Sequence, residues 1–373
     1  MRRGWREGRR FVLPLGCAVL LIGVAAGCGG QDDDDSSDES GPITFGMTAE
    51  QTGPLSVLAP GVDGRDIELV VRDNASDTAK AIQNVNEFKQ MGAAGMIGPG
   101  FSQNCVGVAP VLAEEDLPGI CWSPNDLPEE DSHQFGIGVA ISQQDAFTYE
   151  YFSQSTDNVG VLGASDESGA QAEANAQTAE EDLGIEIQLE SVNPADTSAR
   201  PQIQNMISNG AGALYMTSCG PISITAAGEA VGLNFDGQIA LIDCFASLFA
   251  ADAVKGFANG NVITFAPDFM LGTEPEDEEK QAAIQEYEDA GGGPDIVEAA
   301  GWDAVMLLAD AIEEAGSTES ADIISTLEDD FSYTGVWSTQ TITADDHRGA
   351  VIEGAMIPTV YTKDGQLRPA EQQ

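Results

Sequence analysis

Residues 96–124 read MIGPGFSQNCVGVAPVLAEEDLPGICWSP and contain the clearest structural pattern of the chain, two short apolar runs separated by a longer segment. A short apolar run ends at Gly98, Ser102 opens a helix-like segment, and a second apolar run ends before Ser123. The pattern predicts one strand-loop-helix-strand unit. In open α/β sheets ligands bind outside the carboxyl ends of strands, where helix N-termini offer unpaired N–H groups to anions. The stretch therefore predicts part of a binding crevice, with an anion site at Ser102.

The same alternation of short β-branched runs and longer helical runs continues along the chain. Strands are predicted at 43–47, 67–72, 95–97, 119–122, 159–163, 185–190, 213–217, 239–243 and 262–265. Helices are predicted at 78–91, 198–208, 222–231, 278–290 and 298–315. Alternation of this kind predicts the α/β class, with doubly wound parallel sheets covered by helices on both faces. The length favours two lobes over a single core.

The N-terminus predicts export. Five arginines precede an apolar run over 11–26, which ends in Ala25-Ala26-Gly27-Cys28. A basic start, a short apolar core and small residues at the exit are typical of a signal peptide, here residues 1–27. The ending resembles the bacterial lipoprotein box, with Ala25 where leucine is usual, and this resemblance implies lipidation of Cys28. A twin-arginine signal and a retained anchor are alternatives, although spanning a bilayer takes about 20 apolar residues.

Acidic residues dominate the chain after the signal. Residues 28–41 contain Asp32–Asp35, and their composition predicts a disordered tether. Without residues 1–27 the chain carries 10 basic and 61 acidic side chains, a formal charge of −51. This charge excludes nucleic acid as a natural partner, because phosphate neutralisation needs lysine and arginine. Adaptation to high salt and compositional drift are both open explanations of the charge.

Several short motifs carry a resemblance to a known family. They are Thr52-Gly53-Pro54-Leu55, Gly64-Arg65-Asp66-Ile67, Asp73-Asn74-Ala75-Ser76-Asp77, Ile97-Gly98-Pro99, Gly232-Leu233-Asn234 and Gly301-Trp302-Asp303. In this order and spacing the chain resembles the branched-chain amino-acid-binding family of ABC-transporter solute receptors, over nearly all of its length after the signal. The resemblance implies a type I periplasmic-binding-protein fold, with two doubly wound parallel-sheet lobes joined by a three-stranded hinge.

The resemblance also implies how the lobes divide and what they do. Lobe one is expected at 42–138 plus 262–332, and lobe two at 139–261 plus 333–373. A small-molecule ligand is expected in the hinge cleft, where contacts from both lobes favour a closed state that a partner permease distinguishes from the open one. A monomer is expected, held to the membrane through its lipid alone and using no cofactor.

Four cysteines remain once Cys17 leaves with the signal and Cys28 takes the lipid. In the implied fold, pairing Cys105 with Cys121 and Cys219 with Cys244 closes one βαβ unit in each lobe and leaves the hinge free. Four cysteines allow three pairings in all. A metal site is the alternative, but the chain has no close Cys-x-x-Cys pair and only two histidines.

The implied ligand site is assigned position by position. Ser102 and Gln103 match the turn that receives a ligand carboxylate, where hydroxyl and helix N–H groups are the donors. Asp243 is the candidate partner of a ligand ammonium group. The other predicted site residues lie on the loops that line the family's cleft: Thr52, Leu55, Ser123, Asn125, Asp126, Ser168, Cys219 and Trp302.

Two departures from the family bear on the ligand. The segment between Met47 and Ile67 lacks the helical periodicity of the helix that the family has there, so one face of the lobe-one sheet is expected to be thinly covered. Ser168 and Cys219 stand where amino-acid receptors often carry tyrosines, and Asp126 replaces a small or hydroxyl residue. These changes widen the expected ligand from a branched-chain amino acid to a small amide, polyamine-like or carboxylate compound.

Enzymatic function is not predicted. No Gly-x-Ser-x-Gly elbow, Walker lysine or complete dinucleotide fingerprint is present. The two histidines, His133 and His347, lie in polar, loop-like stretches and are expected to be solvated. The sequence therefore predicts an exported, lipid-anchored solute-binding protein of an ABC importer. A ligand-sensing or adhesive lipoprotein that uses the same fold without transport is the alternative.

Overall fold

The computed structural model describes residues 41–49, 66–100, 102–123, 126–127 and 132–370. The predicted signal peptide, Cys28 and most of the acidic tether lie outside the described residues. So do Thr52, Leu55 and Asn125, and most of the segment between Met47 and Ile67 that was expected to lack a helix.

The first sheet has five strands, all parallel, in the order β2-β1-β3-β4-β5. They are β1 Ile43–Ala49, β2 Ile67–Asp73, β3 Gly95–Ile97, β4 Gly119–Cys121 and β5 Gln134–Gly136. Helices α1 Thr78–Gln90 and α2 Ser102–Glu114 connect them. Gly46 lets α1 approach the sheet, because a Cβ there would lie 2.2 Å from the Phe88 ring.

The second sheet has seven strands in the order β14-β13-β10-β9-β8-β6-β7. Its parallel strands are β6 Asn158–Ala164, β7 Glu186–Val192, β8 Ala213–Met216, β9 Gln238–Leu241 and β10 Val262–Ala266. The antiparallel edge is β13 Ile357–Tyr361 and β14 Leu367–Pro369. Its helices are α3 Ile141–Ser153, α4 Glu167–Leu183, α5 Arg200–Ser208, α6 Pro221–Gly232 and α7 Leu248–Val254.

Strand β10 corrects one lobe boundary. The predicted lobe one resumes at residue 262, but Ile263 pairs with Ala240 of β9, so β10 belongs to the second sheet. All five β10 residues are buried, which explains the pairing: the apolar strand completes the parallel core before the chain leaves it. The boundary therefore falls after Ala266. The remaining division of the chain into lobes stays a prediction.

After β10 the chain returns to the first sheet. Helices α8 Glu278–Asp289, α9 Ile296–Ala315 and α10 Ser320–Leu327 follow, and α9 contacts β3 and β4. The close packing requires Gly95, where a Cβ would lie 2.7 Å from Leu308 of α9. A two-stranded hairpin, β11 Phe331–Thr334 and β12 Thr339–Ile342, then leads back to the second sheet. The two lobes and the α/β class are thus as predicted.

Three chain crossovers join the sheets: the segment after β5, the segment after β10, and the hairpin β11–β12. Gly138, in the first crossover, has φ +73°, and a Cβ there would lie 2.1 Å from the Trp337 ring of the hairpin turn. The backbone at Gly136 also approaches a neighbouring segment closely, since a Cβ added there would lie 2.5 Å from Cζ of Arg348. The crossovers therefore pack directly on one another. Within the described residues, no helix is both long and apolar enough to cross a bilayer.

The expectation for one histidine was wrong. His347 is buried, stacks on Phe135 with 4.5 Å between ring centroids, and places Nδ1 3.0 Å from the carbonyl oxygen of Gln134. The three residues before it, 344–346, are exposed, whereas the imidazole fills the hinge beside β5. His133 is partly exposed, with Nδ1 3.6 Å from the Asp116 carboxylate.

Candidate functional site

Two serine hydroxyls meet where strands of the first sheet end. Ser102 is the first residue of α2, after β3, and Ser123 follows β4. Their Oγ atoms lie 2.9 Å apart, and Ser123 is buried. The first N–H groups of a helix have no intrahelical acceptor, so this helix end and the two hydroxyls together can donate to a carbonyl or carboxylate. Gln103, the next predicted residue, is exposed on the same turn.

A disulfide holds this half of the site together. Cys105, one turn into α2, is bonded to Cys121 at the end of β4, as predicted. The Cys105 sulfur also lies 3.2 Å from the carbonyl oxygen of Pro99, in the loop before α2. The bond therefore ties the loop after β3, the start of α2 and the end of β4, the three segments that position the serine pair.

The second half of the site is Asp243, beyond the carboxyl end of β9. It begins a 3₁₀ turn, Asp243–Phe245, and its side chain is only 2% exposed. Burial raises the pKa of this carboxyl group to about 7, whereas the N–H of Cys244 and the side chain of Gln144 act to lower it. Its Oδ2 has no hydrogen-bond partner in the described chain. Cys244 is bonded to Cys219, which confirms the second predicted disulfide and anchors this turn to the loop after β8.

The turn that carries Asp243 also contacts other elements. The N–H of Ile296, at the start of α9, donates to the carbonyl oxygen of Ala246 at 3.4 Å. The Tyr361 hydroxyl of β13 donates to the carbonyl oxygen of Phe245. Because α9 packs on the first sheet, the first of these bonds crosses between the lobes. Helices α2 and α4 are also in contact across the lobes.

Arg348, in the segment after β12, bonds the loop that carries Ser123, and its positive charge attracts Asp243. Its Nη2 donates to the carbonyl oxygen of Ser123 at 2.9 Å, and its Nη1 donates to that of Gly138 at 3.3 Å. Burial lowers the pKa of Arg348 to about 10, against the attraction of Asp126, Asp346 and Asp243. Arg348 was not predicted as a site residue. A basic residue is uncommon in this chain, which has 15 basic residues against 62 acidic ones, and this was the feature of the sequence that could have drawn attention to it.

Asp126 joins the same region through α3. Its Oδ1 accepts a hydrogen bond from the Ser142 hydroxyl at 2.8 Å. Asp145, one turn further along α3, is fully buried; its carboxylate accepts from the Tyr215 hydroxyl and from Nδ2 of Asn175, each at 2.8 Å. The first turn of α3 therefore lies among three carboxyl groups: Asp126, Asp145 and Asp243.

The remaining predicted residues of the described chain have other partners. The Ser168 hydroxyl donates to Asp166 at 2.6 Å, which makes it part of the cap of α4. Cys219 is exposed and disulfide-bonded. Trp302 is 7% exposed and packs against Tyr287, with 5.8 Å between ring centroids. Their roles in ligand binding stay predictions.

Two surface cavities in the described chain lie elsewhere. One of about 240 Å³ is lined by Lys89 and the start of α10, and one of about 510 Å³ lies between Phe269 and α8. Neither is lined by a predicted site residue. The candidate site is therefore assigned from the polar groups at the strand ends and the hinge.

The buried carboxyl groups predict how stability depends on pH. Burial raises the pKa of Asp145 and of Asp243 from 3.8 to about 7, and Arg348 partly offsets the shift at Asp243. Between pH 3.8 and about pH 7 these two carboxyl groups are protonated in the native state but ionised in the unfolded chain. The free energy of unfolding therefore falls as the pH rises towards 7. We expect the protein to be less stable at pH 8 than at pH 5 by at least about 1 kcal/mol in denaturant titrations.

The control for this prediction is Asp243→Asn, measured at the same constant ionic strength. It removes the Asp243 titration and leaves that of Asp145, so the decrease in stability between pH 5 and pH 8 should become smaller. Stability that rises over this range in the parent protein would contradict the raised pKa values.

Comparisons with known proteins agree with this architecture. The model of a family described as "Periplasmic binding protein" matches residues 42–365. Comparison with curated protein sequences finds no significant match. Among solved structures, an extracellular ligand-binding receptor from Rhodopseudomonas palustris HaA2 superimposes with a TM-score of 0.77 at 20% identity, covering 88% of this chain and 100% of that one.

Two further structures were solved with ligands. The branched-chain amino-acid transporter substrate-binding protein LivJ from Streptococcus pneumoniae, in complex with isoleucine, has a TM-score of 0.70 at 22% identity and covers 88% of this chain and 99% of that one. An ABC-transporter solute-binding protein from R. palustris, in complex with 4-hydroxybenzoate, has a TM-score of 0.70 at 16% identity, with 89% and 96% covered. With its family match, two parallel-sheet lobes and three crossovers, the chain belongs to the periplasmic binding protein family.

Proposed function

We propose that the protein is an exported, lipid-anchored solute-binding protein that clamps a small polar ligand between its lobes and delivers it to an ABC importer. The observation that carries this proposal is the pair of Ser102 and Ser123 hydroxyls, 2.9 Å apart at the start of α2, together with the buried carboxyl group of Asp243 beyond the end of β9. A ligand held at both halves favours the closed arrangement of the lobes. A permease can distinguish that state from the open one.

The polar groups suit an amino acid or a related amide or carboxylate. The serine hydroxyls and the N-terminus of α2 can donate to a ligand carboxylate, whereas Asp243 can accept from an ammonium or amide group. The isoleucine and 4-hydroxybenzoate of the two relatives support a small organic ligand that carries a carboxylate. In this proposal the protein releases its ligand without changing it chemically, so no enzymatic activity is proposed.

The remaining parts of the proposal rest on sequence. Lipidation of Cys28 would hold the protein at the outer face of the cell membrane, and the acidic segment after it would act as a spacer. An ABC permease is the proposed protein partner, and no cofactor is required. The formal charge of −51 after the signal opposes self-association, which supports a monomer.

A thermal-shift screen tests the ligand class. The panel contains the proteinogenic amino acids, their amides, small diamines and small carboxylic acids. A compound that binds only the native state at about 100 times its Kd should add about 2.7 kcal/mol to the free energy of unfolding. We expect at least one amino acid or amide to raise the Tm, and calorimetry then gives its Kd.

Substitutions at the serine pair test whether an observed Tm shift comes from ligand binding at the proposed site. Ser102→Ala and Ser123→Ala should weaken binding of the compound found, because each removes a donor at the end of α2. Ser153→Ala is the matched control, since the Ser153 hydroxyl donates to Glu150 at the far end of α3. The ligand class proposed here would be abandoned if no compound of the panel raised the Tm.

A further inference from the structure

The two disulfides of the described chain differ in how far solvent reaches them. Cys105 and Cys121 are both fully buried, each with 0% of its surface exposed. Cys219 is exposed, and its partner Cys244 is partly buried. A disulfide is reduced when a thiolate attacks one of its sulfur atoms, so the rate depends on access to that sulfur. The folded protein therefore presents the Cys219–Cys244 bond, and not the buried one, to a reductant in solution.

The β8–α6 loop, residues 218–220, carries Cys219 and depends on the disulfide for its position. The N–H of Gly220 donates to the Ser218 hydroxyl at 3.4 Å, and the Ser223 hydroxyl donates to the carbonyl oxygen of Ser218 at 2.6 Å. The N–H of Ser223 donates to the carbonyl oxygen of Gly220 at 3.1 Å. These described hydrogen bonds stay within the loop and the first turn of α6. The disulfide is therefore the bond that ties the loop to a different segment.

The turn at the other end of this disulfide has further support. It contains Cys244, and the Tyr361 hydroxyl of β13 donates to the carbonyl oxygen of Phe245 in the same turn. The Thr264 hydroxyl of β10 donates to the carbonyl oxygen of Ile242, just before the turn, at 3.1 Å. Opening the disulfide should therefore free the β8–α6 loop and leave this turn in place.

The β8–α6 loop lies beside the proposed second half of the ligand site. Met216 of β8 pairs with Leu241 of β9, so the loop and the turn that carries Asp243 leave neighbouring strands of the second sheet side by side. A loop that has lost its tether must be ordered when a ligand binds next to it, and this ordering opposes binding. Reduction should therefore weaken ligand binding without unfolding the lobe.

We propose that Cys219 is a site of thiol–disulfide exchange, where a dithiol reductant opens the Cys219–Cys244 bond in the folded protein and so lowers its affinity for ligand. The exchange itself does not depend on any ligand. Its effect on affinity rests on the proposed function, because the β8–α6 loop matters to binding only if the ligand site lies beside it.

The exchange has two steps. A thiolate of the reductant attacks the Cys219 sulfur, forms a mixed disulfide with it, and displaces the Cys244 sulfur together with the electron pair of the S–S bond. The second thiolate of the reductant then attacks the reductant's own sulfur in the mixed disulfide and displaces the Cys219 sulfur. The reductant leaves as a disulfide, oxidised by two electrons, and the two cysteines take up the two protons that its thiols lose.

The first experiment follows reduction of the folded parent protein and needs no ligand. The protein is treated with dithiothreitol, samples are blocked with iodoacetamide at intervals, and the labelled cysteines are located by mass spectrometry after cleavage at glutamate. Glu114 lies between the partners of the first disulfide and Glu229 between those of the second, so this cleavage places the four cysteines on separate peptides.

We expect selective labelling in the folded protein. Cys219 and Cys244 should be labelled together, at least about 10-fold faster than Cys105 and Cys121, because the buried pair reacts only when the structure opens. Rates in denaturant are the control, since burial then protects neither pair. Equal rates for the two pairs in the folded protein would overturn the exchange site. Resistance of both pairs until the protein unfolds would overturn it as well.

The second experiment measures the effect on affinity. The Kd of the compound found in the thermal-shift screen is measured by calorimetry before and after this selective reduction. Reduction should raise the Kd about 10-fold, because the ligand must then order the β8–α6 loop. The double variant Cys219→Ser with Cys244→Ser should bind as weakly as the reduced protein, and dithiothreitol should not change its Kd. Circular dichroism should show the same fold before and after reduction.

The two experiments separate this inference from the proposed function. If no compound of the screen binds, the proposed function fails, while selective labelling of Cys219 and Cys244 still supports the exchange site. If a compound binds and selective reduction leaves its Kd within about twofold of the parent value, control of binding by the disulfide is overturned. Reduction of the parent protein decides this point even if the double variant does not fold.

Discussion

Replacing Arg348 by methionine is expected to lower the free energy of unfolding by about 3–5 kcal/mol, the range measured when one partner of a buried charge cluster is removed. The substitution removes donors from the carbonyl oxygens of Ser123 and Gly138. It also removes the positive charge that partly offsets the effect of burial on the pKa of Asp243. Denaturant titration at neutral pH measures the change.

Two further variants help to explain any loss of stability in Arg348→Met. Arg348→Lys restores a charge but not the planar fork of donors, so its stability should lie between those of Arg348→Met and the parent protein. Arg72→Met is the control, because Arg72 forms a surface ion pair with Glu87, and surface ion pairs contribute little to stability. If Arg348→Met were no more destabilising than Arg72→Met, the bonds from Arg348 to the Ser123 loop and the first crossover would not stabilise the hinge as proposed here.

Replacing Asp303 by asparagine is expected to cost about 3 kcal/mol although the side chain keeps its shape, since an unsatisfied buried donor costs about 1–3 kcal/mol. Asp303 lies on α9 and is buried. Its Oδ1 accepts from the N–H of Val336 and its Oδ2 from the N–H of Trp337, both at 2.8 Å, while the Tyr333 hydroxyl donates to Oδ1 at 3.1 Å. An asparagine would direct its NH₂ group towards one of these main-chain donors.

Asp145→Asn is the matched control for this prediction. Asp145 is equally buried, but its donors are the Tyr215 hydroxyl and the Asn175 amide, which are side chains that can reorient. The same substitution should therefore cost about 1 kcal/mol or less there. Denaturant titrations of both variants decide the comparison, and equal losses would show that the fixed direction of the main-chain donors at Asp303 is not what matters.

Both predictions concern the hinge, and both bear on ligand binding. Asp303 ties α9 of the first lobe to the turn between β11 and β12, and Lys280 on α8 donates to the carbonyl oxygen of Trp337 in the same turn at 2.9 Å. Arg348 reaches the Ser123 loop from the segment that follows β12. The groups that hold the crossovers together are thus the groups that position the two halves of the proposed site.

Several elements of the fold could be predicted from local sequence. Strand β3 and helix α2 follow from the apolar run before Gly98 and the hydroxyl residue after it, and all nine predicted strands have counterparts in the structure. Helices α3 and α4 were not predicted. The buried positions of α4 are alanines, such as Ala172 and Ala176, and α3 buries Gln144 and Asp145, so neither shows the spacing of large apolar residues on which helix prediction depends.

The site could be predicted only in part. Ser102, Ser123, Asp126 and Asp243 lie on loops that follow strands, and parallel strands bring such loops to one edge of a sheet. Gln144 lies inside a helix, and Arg348 lies in an irregular segment; neither position has a local signal. The contact between Arg348 and Ser123 joins residues 225 positions apart.

The α/β class, the acidic charge and the strand ends that carry the serine pair and Asp243 follow from the sequence alone, which also predicts an export signal. The family resemblance added the disulfide partners, which the structure confirms. The structure was needed to show that β10 belongs to the second sheet, that His347 is buried, and that Arg348 bonds the Ser123 loop and the first crossover. The physical reason is that periodicity and turn residues report contacts within a few positions along the chain. Burial and charge pairing at the hinge depend on which distant segments pack together.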